Sequence, residues 1–283
     1  MGFLRKIVAS RLAALGLILT VAVAFMAIFA PWLTPFDPAA QDVTQRLIPP
    51  FGRTPEGLHL LGTDALGRDV LSRLIIASRI SLLVGVAAVI VSGFFGVMLG
   101  LIAGYDDQRA GRVIMAVADV QLAVPFLVLA LAVAAVLGPS VFNLVVVLGV
   151  TNWVQYARVV RAEALTLRER EFVQAALALG ASTPRILARH LLPNVMSSVI
   201  VISSLQVARM ILFEASLSFL GLGVPAQIPT WGSMIADGRN YVSSAWWVAA
   251  MPGIAIFLTV VGINLLGDRL RDLLDPKLRH MER

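Results

Sequence analysis

The sequence predicts an all-α membrane protein with six transmembrane helices and both termini on the cytoplasmic side. Three observations carry that expectation. Of the 283 residues, 58% are hydrophobic and only 14% are charged, with a mean hydropathy of +0.85, whereas a soluble domain is about 45–50% apolar and about 25% charged. The apolar residues lie in charge-free runs long enough to cross a hydrocarbon core about 30 Å thick, which takes about 20 helical residues. The basic residues are distributed unevenly between the connecting segments.

The first run is Leu12 to Phe36. It exceeds the roughly 7–15 residue apolar core of a signal peptide, so it reads as an uncleaved span. The second is Ile80 to Tyr105. A third apolar stretch, Val120 to Ala157, is too long for one span and contains Gly138-Pro139-Ser140 and Asn143. These are turn formers, so the stretch predicts a helical hairpin. Its first arm begins near Val113 and includes Asp119, expected near the cytoplasmic end, where snorkelling or pairing with Arg112 or Arg158 suffices. The fifth span runs from about Asn194 to Leu220, and the sixth from about Ala245 to Gly267.

Sixteen of the 23 lysines and arginines fall on the side of the termini and six on the other, with Arg209 inside a span. Positive residues accumulate in cytoplasmic loops. The bias therefore places the termini in the cytoplasm and explains the net charge of +6 without nucleic acid as a partner. The same reading divides the chain into residues 1–78, a first helix with an extracytoplasmic loop, and residues 79–283, a five-helix core. The loop Pro35 to Ser78 is rich in proline and lacks strand alternation, which predicts a partly ordered external cap. Within it, Gly62-Thr63-Asp64 reads as a turn, solvated on physical grounds alone, with Asp64 or Asp69 pairing with Arg68 or Arg73.

The segment 158–193 has a different character. Phe172, Ala175, Ala176 and Leu179 lie at i, i+3, i+4 and i+7, one apolar stripe on a short helix. Gly180 ends that helix as a C′ residue. Thr183 caps the next, with Pro184 at its first position. The stripe is narrow and alanine-rich, without the large anchors of a helix lying on lipid headgroups, and it predicts a helix–turn–helix that docks a cytoplasmic protein.

The spacing Gln174-Ala175-Ala176, Gly180, Leu192-Pro193 resembles the "EAA" loop of ABC importer permeases, whose consensus is Glu-Ala-Ala, x3, Gly, x9, Ile-x-Leu-Pro. Gln174 stands where the consensus has glutamate, and His190 where it has isoleucine. Glutamine keeps hydrogen-bonding capacity without charge, and Glu171, one turn earlier, is the candidate substitute. Three further strings are similar to the C-type permease subunits of dipeptide, oligopeptide and nickel importers. They are Leu61-Gly62-Thr63-Asp64-Ala65-Leu66-Gly67-Arg68-Asp69, Ser218-Phe219-Leu220-Gly221-Leu222-Gly223-Val224-Pro225 with Pro229-Thr230-Trp231-Gly232, and Gly267-Asp268-Arg269-Leu270-Arg271-Asp272 through Asp275-Pro276. The resemblance spans nearly the whole chain. It implies the transmembrane domain of a type I ABC importer, with a second homologous permease, two cytoplasmic ATPase subunits, an extracytoplasmic solute-binding protein and the membrane lipid as partners. It assigns the ATPase-coupling loop to Glu171, Phe172, Gln174, Ala175, Ala176, Gly180 and Pro193.

The chain has no G-x-x-x-x-G-K-[ST] phosphate loop, so ATP and Mg are expected on the partner ATPases and no cofactor or metal on this chain. No cysteine is present, and the three histidines, His59, His190 and His280, lie far apart in sequence. No catalytic constellation is expected. Arg209 and Glu214 lie within span five and are the candidates for the translocation path. Five residues apart, they point about 140° apart at about 100° per residue and must meet different partners. For Arg209 a carboxylate of a permeating peptide competes with a structural ion pair. Gly96, Gly100 and Gly104 form one small-residue face on span two, open equally to packing within the chain or against the partner permease. Di- or oligopeptides are the expected cargo. Nickel chelates or another small solute within the family, and a stand-alone secondary transporter outside it, are the alternatives.

Overall fold

The computed structural model describes residues 10–274, with side chains to residue 273. Arg5 and Lys6, the tail residues Asp275 and Pro276, and His280 lie outside the described residues. The fold is a bundle of long helices with one small hairpin. In chain order the helices are α1 (Arg11–Ile28), α2 (Ala30–Leu33), α3 (Val70–Tyr105), α4 (Ala110–Leu122), α5 (Phe126–Leu137), α6 (Val141–Thr151), α7 (Trp153–Arg168), α8 (Glu171–Ala178), α9 (Thr183–Ile186), α10 (Leu192–Phe219), α11 (Trp231–Gly238) and α12 (Trp247–Leu274). The strands β1 (Gly52–Thr54) and β2 (Gly57–His59) pair antiparallel between α2 and α3.

Among the described residues, four helical stretches are long and apolar enough to cross a membrane: α1, α3, the continuous run Thr183–Phe219, and α12. A fifth is possible only if α4 and α5 count as one span, and they are bent by 88°. The expected straight first arm from Val113 is therefore replaced by two helices. The cause is Pro125, which has no N–H to donate and drives the residue before it out of the helical region. The second arm also breaks, at Asn152, into α6 and α7. Between the arms the expected turn is present: Gly138 ends α5 at φ +76°, and Ser140 precedes α6.

Helix α3 has 36 residues, about 54 Å at about 1.5 Å per residue. It starts ten residues before the charge-free run because its first turns lie in the cap, where Arg73 is paired. Its other end carries the glycine face. A Cβ on Gly96 would sit 2.5 Å from the Trp153 carbonyl oxygen, one on Gly100 2.8 Å from that of Ala157, and one on Gly104 2.5 Å from the Ala164 Cβ. The small-residue stripe is thus occupied by α7 of the same chain. Gly16 and Gly262 serve the α1–α12 crossing in the same way, against Leu265 and Leu19. Helix α10 lies between α3 and α12. Ile211 fills the space over Gly85, while Ser204 and Leu205 press on Gly267.

One core cluster joins α3, α6, α7 and α10, and a second gathers Val70, Ile211, Trp231, Met234 and Trp247 beneath the hairpin. The molecule accordingly has a cap end, with the hairpin, and a loop end, where α3 meets the last turn of α7.

Candidate functional site

At the loop end, the helix–turn–helix begins later than the sequence suggests. Residues 158–168 continue α7, so the separate element starts at Glu171. Helix α8 ends in a Schellman motif. Gly180 has φ +80°, its N–H donates to the Leu177 carbonyl at 2.9 Å, and the Ala181 N–H donates to that of Ala176 at 3.0 Å. This is the left-handed C′ position that a glycine adopts without Cβ strain. The next helix begins one residue earlier than expected: Ser182 holds the N-cap position without a side-chain capping bond, and Pro184 takes the second helical position.

Pro193 cannot donate to the Arg189 carbonyl, and the chain widens there into a π-turn over Leu187–Leu191, in which the Leu192 N–H reaches back to Leu187. The turn runs directly into α10. Motion of the turn therefore has a continuous helical route into the spanning segment.

Three contacts hold α8 in place. Val173, which the sequence reading did not single out, is fully buried. Gln174 donates from Nε2 to the Arg168 carbonyl at 2.8 Å. Arg168 in turn donates from Nη1 to the carbonyls of Gly104 and Tyr105 at 3.3 and 3.2 Å, so the end of α3, the end of α7 and α8 are one unit. Nearby, Asp106 caps α4 by accepting from the backbone N–H groups of Arg109 and Ala110, which holds its carboxyl below the usual range. The stripe itself points outward. Phe172 and Ala175 are exposed, Ala176 is half-buried, and Leu179 is 89% exposed. Glu171 is exposed beside them. Asp119 pairs with Arg158 at 2.6 Å, one of its two expected partners.

Within α10 the two charged candidates separate. Glu214 is fully buried. Its Oε2 accepts from the Ser81 hydroxyl at 2.9 Å and its Oε1 from the Ser218 hydroxyl at 2.7 Å. The string after α10 closes around it. Gly221 has φ +80° and forms a second Schellman turn, Thr230 and Ser233 form a capping box, and the Trp231 N–H donates to Ser81 Oγ at 3.4 Å. The enclosure gives Glu214 a structural setting inside this chain, unlike the open position expected of a path-lining group. Arg209 is exposed, and Gln206 Oε1 accepts from its Nη1 at 3.4 Å. A charge at mid-bilayer costs at least about 2.5–3.5 kcal/mol on insertion scales, so such a face meets protein or water rather than lipid.

At the cap end the solvated-turn expectation fails. Asp64, Asp69, Arg73 and His59 are all buried. Asp64 pairs with Arg68 at 2.7 Å and with Arg73 at 3.5 Å, and both arginines reach Asp237 at 3.2 and 3.3 Å. Asp69 caps α3 through the Ser72 N–H and binds His59 Nδ1 at 2.8 Å. The role of Asp237 was invisible in the local pattern, because it lies 169 residues from Arg68, and that of His59, ten residues from Asp69, depends on the hairpin that turns it inward.

Residues 96–280 match the family described as the inner membrane component of binding-protein-dependent transport systems, and residues 2–50 match the N-terminal transmembrane domain of oligopeptide transport permease C. The chain is 45% identical to the di/tripeptide transport system permease protein DppC of Pseudomonas aeruginosa, over 94% of this chain and 88% of that one. It is 44% identical to the probable D,D-dipeptide transport system permease protein DdpC of Escherichia coli, over 92% and 86%. It is 42% identical to the glutathione transport system permease protein GsiD of Pectobacterium atrosepticum, over 98% and 89%. Among solved structures, a chain of the inward-facing MetNI methionine ABC transporter superposes with a TM-score of 0.50 at 20% identity, over 69% of this chain and 94% of that one. That likeness is one of fold.

Proposed function

The chain belongs to the family of inner-membrane components of binding-protein-dependent transport systems, the permease subunits of ABC importers, and on that premise we propose that it carries di- or oligopeptides and is driven through the turn at residues 171–193. The relatives named for di/tripeptides, D,D-dipeptides and glutathione support a peptide cargo. In this reading the chain crosses the membrane six times with cytoplasmic termini, α6 and the start of α7 forming the crossing that the break at Asn152 interrupts. The loop end is cytoplasmic and the cap end external. A second, homologous permease completes the path, a solute-binding protein delivers cargo at the cap, and two ATPases bind ATP and Mg.

The observation that carries the coupling role is the outward stripe of α8 on a rigid mount. Phe172, Ala175 and Leu179 offer a small apolar face to a partner. Val173, Gln174 and the Gly180 turn prevent the helix from rotating independently. Glu171 adds a charge at the edge of the face. A push on this face passes through Pro193 into α10 and through Arg168 into α3. Hydrolysis on the partner thereby becomes relative movement of the spans, exchanging access between the two faces. Arg209, exposed along α10, is assigned to the path, and Glu214 to holding α10 against α3.

The test is to isolate the tagged chain from its native membrane in mild detergent and assay ATPase activity. A stoichiometric second permease with ATPase subunits is expected. A lone chain that moves solute into liposomes on an ion gradient would instead make it a secondary transporter.

A further inference from the structure

Helices α10 and α12 run antiparallel and meet directly near the loop end. A Cβ on Gly267 would lie 2.8 Å from Ser204 Oγ, but one on Gly253, four turns along α12, meets nothing within 4 Å. Towards the cap end α11 lies between them, with Gly232 against Ala215 of α10 and Gly238 against Val248 and Ala249 of α12. The wedge between α10 and α12 is an open apolar groove of about 400 Å³ on the surface of the subunit, lined by Leu212, Ser216, Phe219, Ile235, Gly253 and Ile256. Pro252 accompanies the opening, since it deletes one helical hydrogen bond next to the glycine.

Arg209 belongs to the same face. At about 100° per residue, Arg209, Leu212, Ser216 and Leu220 fall within an arc of about 80°. None of the four is buried. Arg209 makes no ion pair among the described residues. Its neighbour Gln206, 3% exposed, uses Oε1 to orient the guanidinium and leaves Nε2 without a partner. The face thus offers an unneutralised fork of donors, suited to a carboxylate, beside an apolar wedge. An acyl chain of the bilayer would suit the wedge alone, but lipid hydrocarbon against the exposed guanidinium is disfavoured by its desolvation cost.

We propose that this face is a transient seat for a short peptide on its way through the subunit, with the terminal carboxylate on Arg209 and an apolar side chain in the wedge between α10 and α12. The dimensions fit. Leu212 lies about 4.5 Å and Ser216 about 10 Å along the axis from Arg209 at about 1.5 Å per residue. An extended peptide advances about 3.3–3.6 Å per residue, so two or three residues span the interval. The seat rests on the peptide-importer reading and adds to it a preference for a free carboxylate and an apolar side chain, held by this subunit.

The absence of cysteine provides the test. Ser216→Cys is introduced into the complete importer, reconstituted with its ATPases and binding protein, and treated with a water-soluble methanethiosulfonate. The probes are leucyl-leucine and its C-terminal amide. Gly253→Cys, on the opposite wall, is the second reporter. The thiol is expected to react in the assembled importer. Leucyl-leucine should slow labelling saturably, by about tenfold at ten times the concentration that halves the labelling rate, as occupancy of a single site requires. The amide should protect much less, and Arg209→Gln should erase the difference. Thiols that react in the isolated chain but not in the importer would mean that the partner permease seals this face, and would overturn the seat. So would equal protection by acid and amide. Peptide uptake by the unlabelled wild-type importer is measured in parallel. Uptake without protection refutes the seat alone, whereas no peptide uptake at all refutes the peptide reading and the seat with it.

Discussion

Glu214 and Ser81, 133 residues apart and both fully buried, join α10 to α3 by a hydrogen bond of 2.9 Å. Ser218 supplies the other carboxyl oxygen at 2.7 Å. A buried acceptor that loses its donor costs about 1–3 kcal/mol. Ser81→Ala should therefore lower the apparent melting midpoint of the purified subunit in detergent by several degrees. Glu214→Gln should lose less than Glu214→Ala, because its amide oxygen still accepts one hydroxyl. The opposite pattern, an unchanged midpoint with transport abolished by Glu214→Gln, would return Glu214 to the path.

Gly180 provides a graded test of the coupling turn. Its φ of +80° excludes Pro and strains β-branched residues, but a Cβ there would meet nothing within 4 Å. Gly180→Asn should preserve peptide uptake, since asparagine tolerates the left-handed region. Gly180→Pro should uncouple ATP hydrolysis from uptake, because it also deletes the N–H that donates to Leu177. The chain should still insert. Normal uptake by the Pro variant would remove this turn from the coupling route.

Ala175→Arg tests the docking face without altering its mount. Ala175 is exposed in this chain, so the variant should fold and insert. Against an ATPase it would force a charge into an apolar contact, and about 1.4 kcal/mol already means a tenfold loss of affinity. ATPase subunits should no longer copurify at stoichiometric amounts. Full copurification with undiminished uptake would show that the stripe faces something else.

The glycine stripe on α3 predicts a contrast within one helix. At Gly100 a Cβ would crowd the Ala157 carbonyl and Val160 at 2.8 Å, whereas at Gly93 the nearest atoms, on Tyr156, lie 3.7 Å away. Overpacking typically costs about 1–3 kcal/mol. Gly100→Ala should reduce the fraction of chain that survives heating in detergent, and Gly93→Ala should leave it unchanged. Equal loss at both positions would mean that α3 and α7 do not approach as closely as the structure has them.

These contrasts also show which parts of the molecule could be read from sequence. Long apolar runs located α1, α3, α10 and α12, because membrane solvent imposes one requirement on every spanning residue. Gly180 and Gly138 were legible because a turn needs them locally. Pro125 carried a visible signal for the 88° bend between α4 and α5, yet the apolar run around it suggested a continuous arm. The start of α3 was misplaced because Arg73 and Arg79 end the charge-free run, and only the folded cap shows that Arg73 is neutralised. The partner of the glycine face, the burial of Val173 and the reach of Asp237 to Arg68 depend on tertiary contacts that no local period encodes.

The cap cluster gives the sharpest ordering of effects. Asp64 faces both arginines, and its side chain is 4% exposed, whereas Asp237 faces the same two arginines with a side chain 48% exposed. Removing one partner from a buried pair leaves a desolvated charge and costs about 3–5 kcal/mol. A half-exposed partner is replaced by water and is worth at most about 1 kcal/mol. Asp64→Ala should thus loosen the hairpin and the first turns of α3, and limited proteolysis of intact cells or right-side-out vesicles should cut between residues 35 and 69. Asp237→Ala should leave that segment resistant. Each variant removes one negative charge, so the cleavage difference reports burial rather than a change in net charge. Equal resistance of the two variants would mean that the cap is held by its apolar contacts, Trp247 and Leu61 beneath the hairpin, and that the four charges add no order to it.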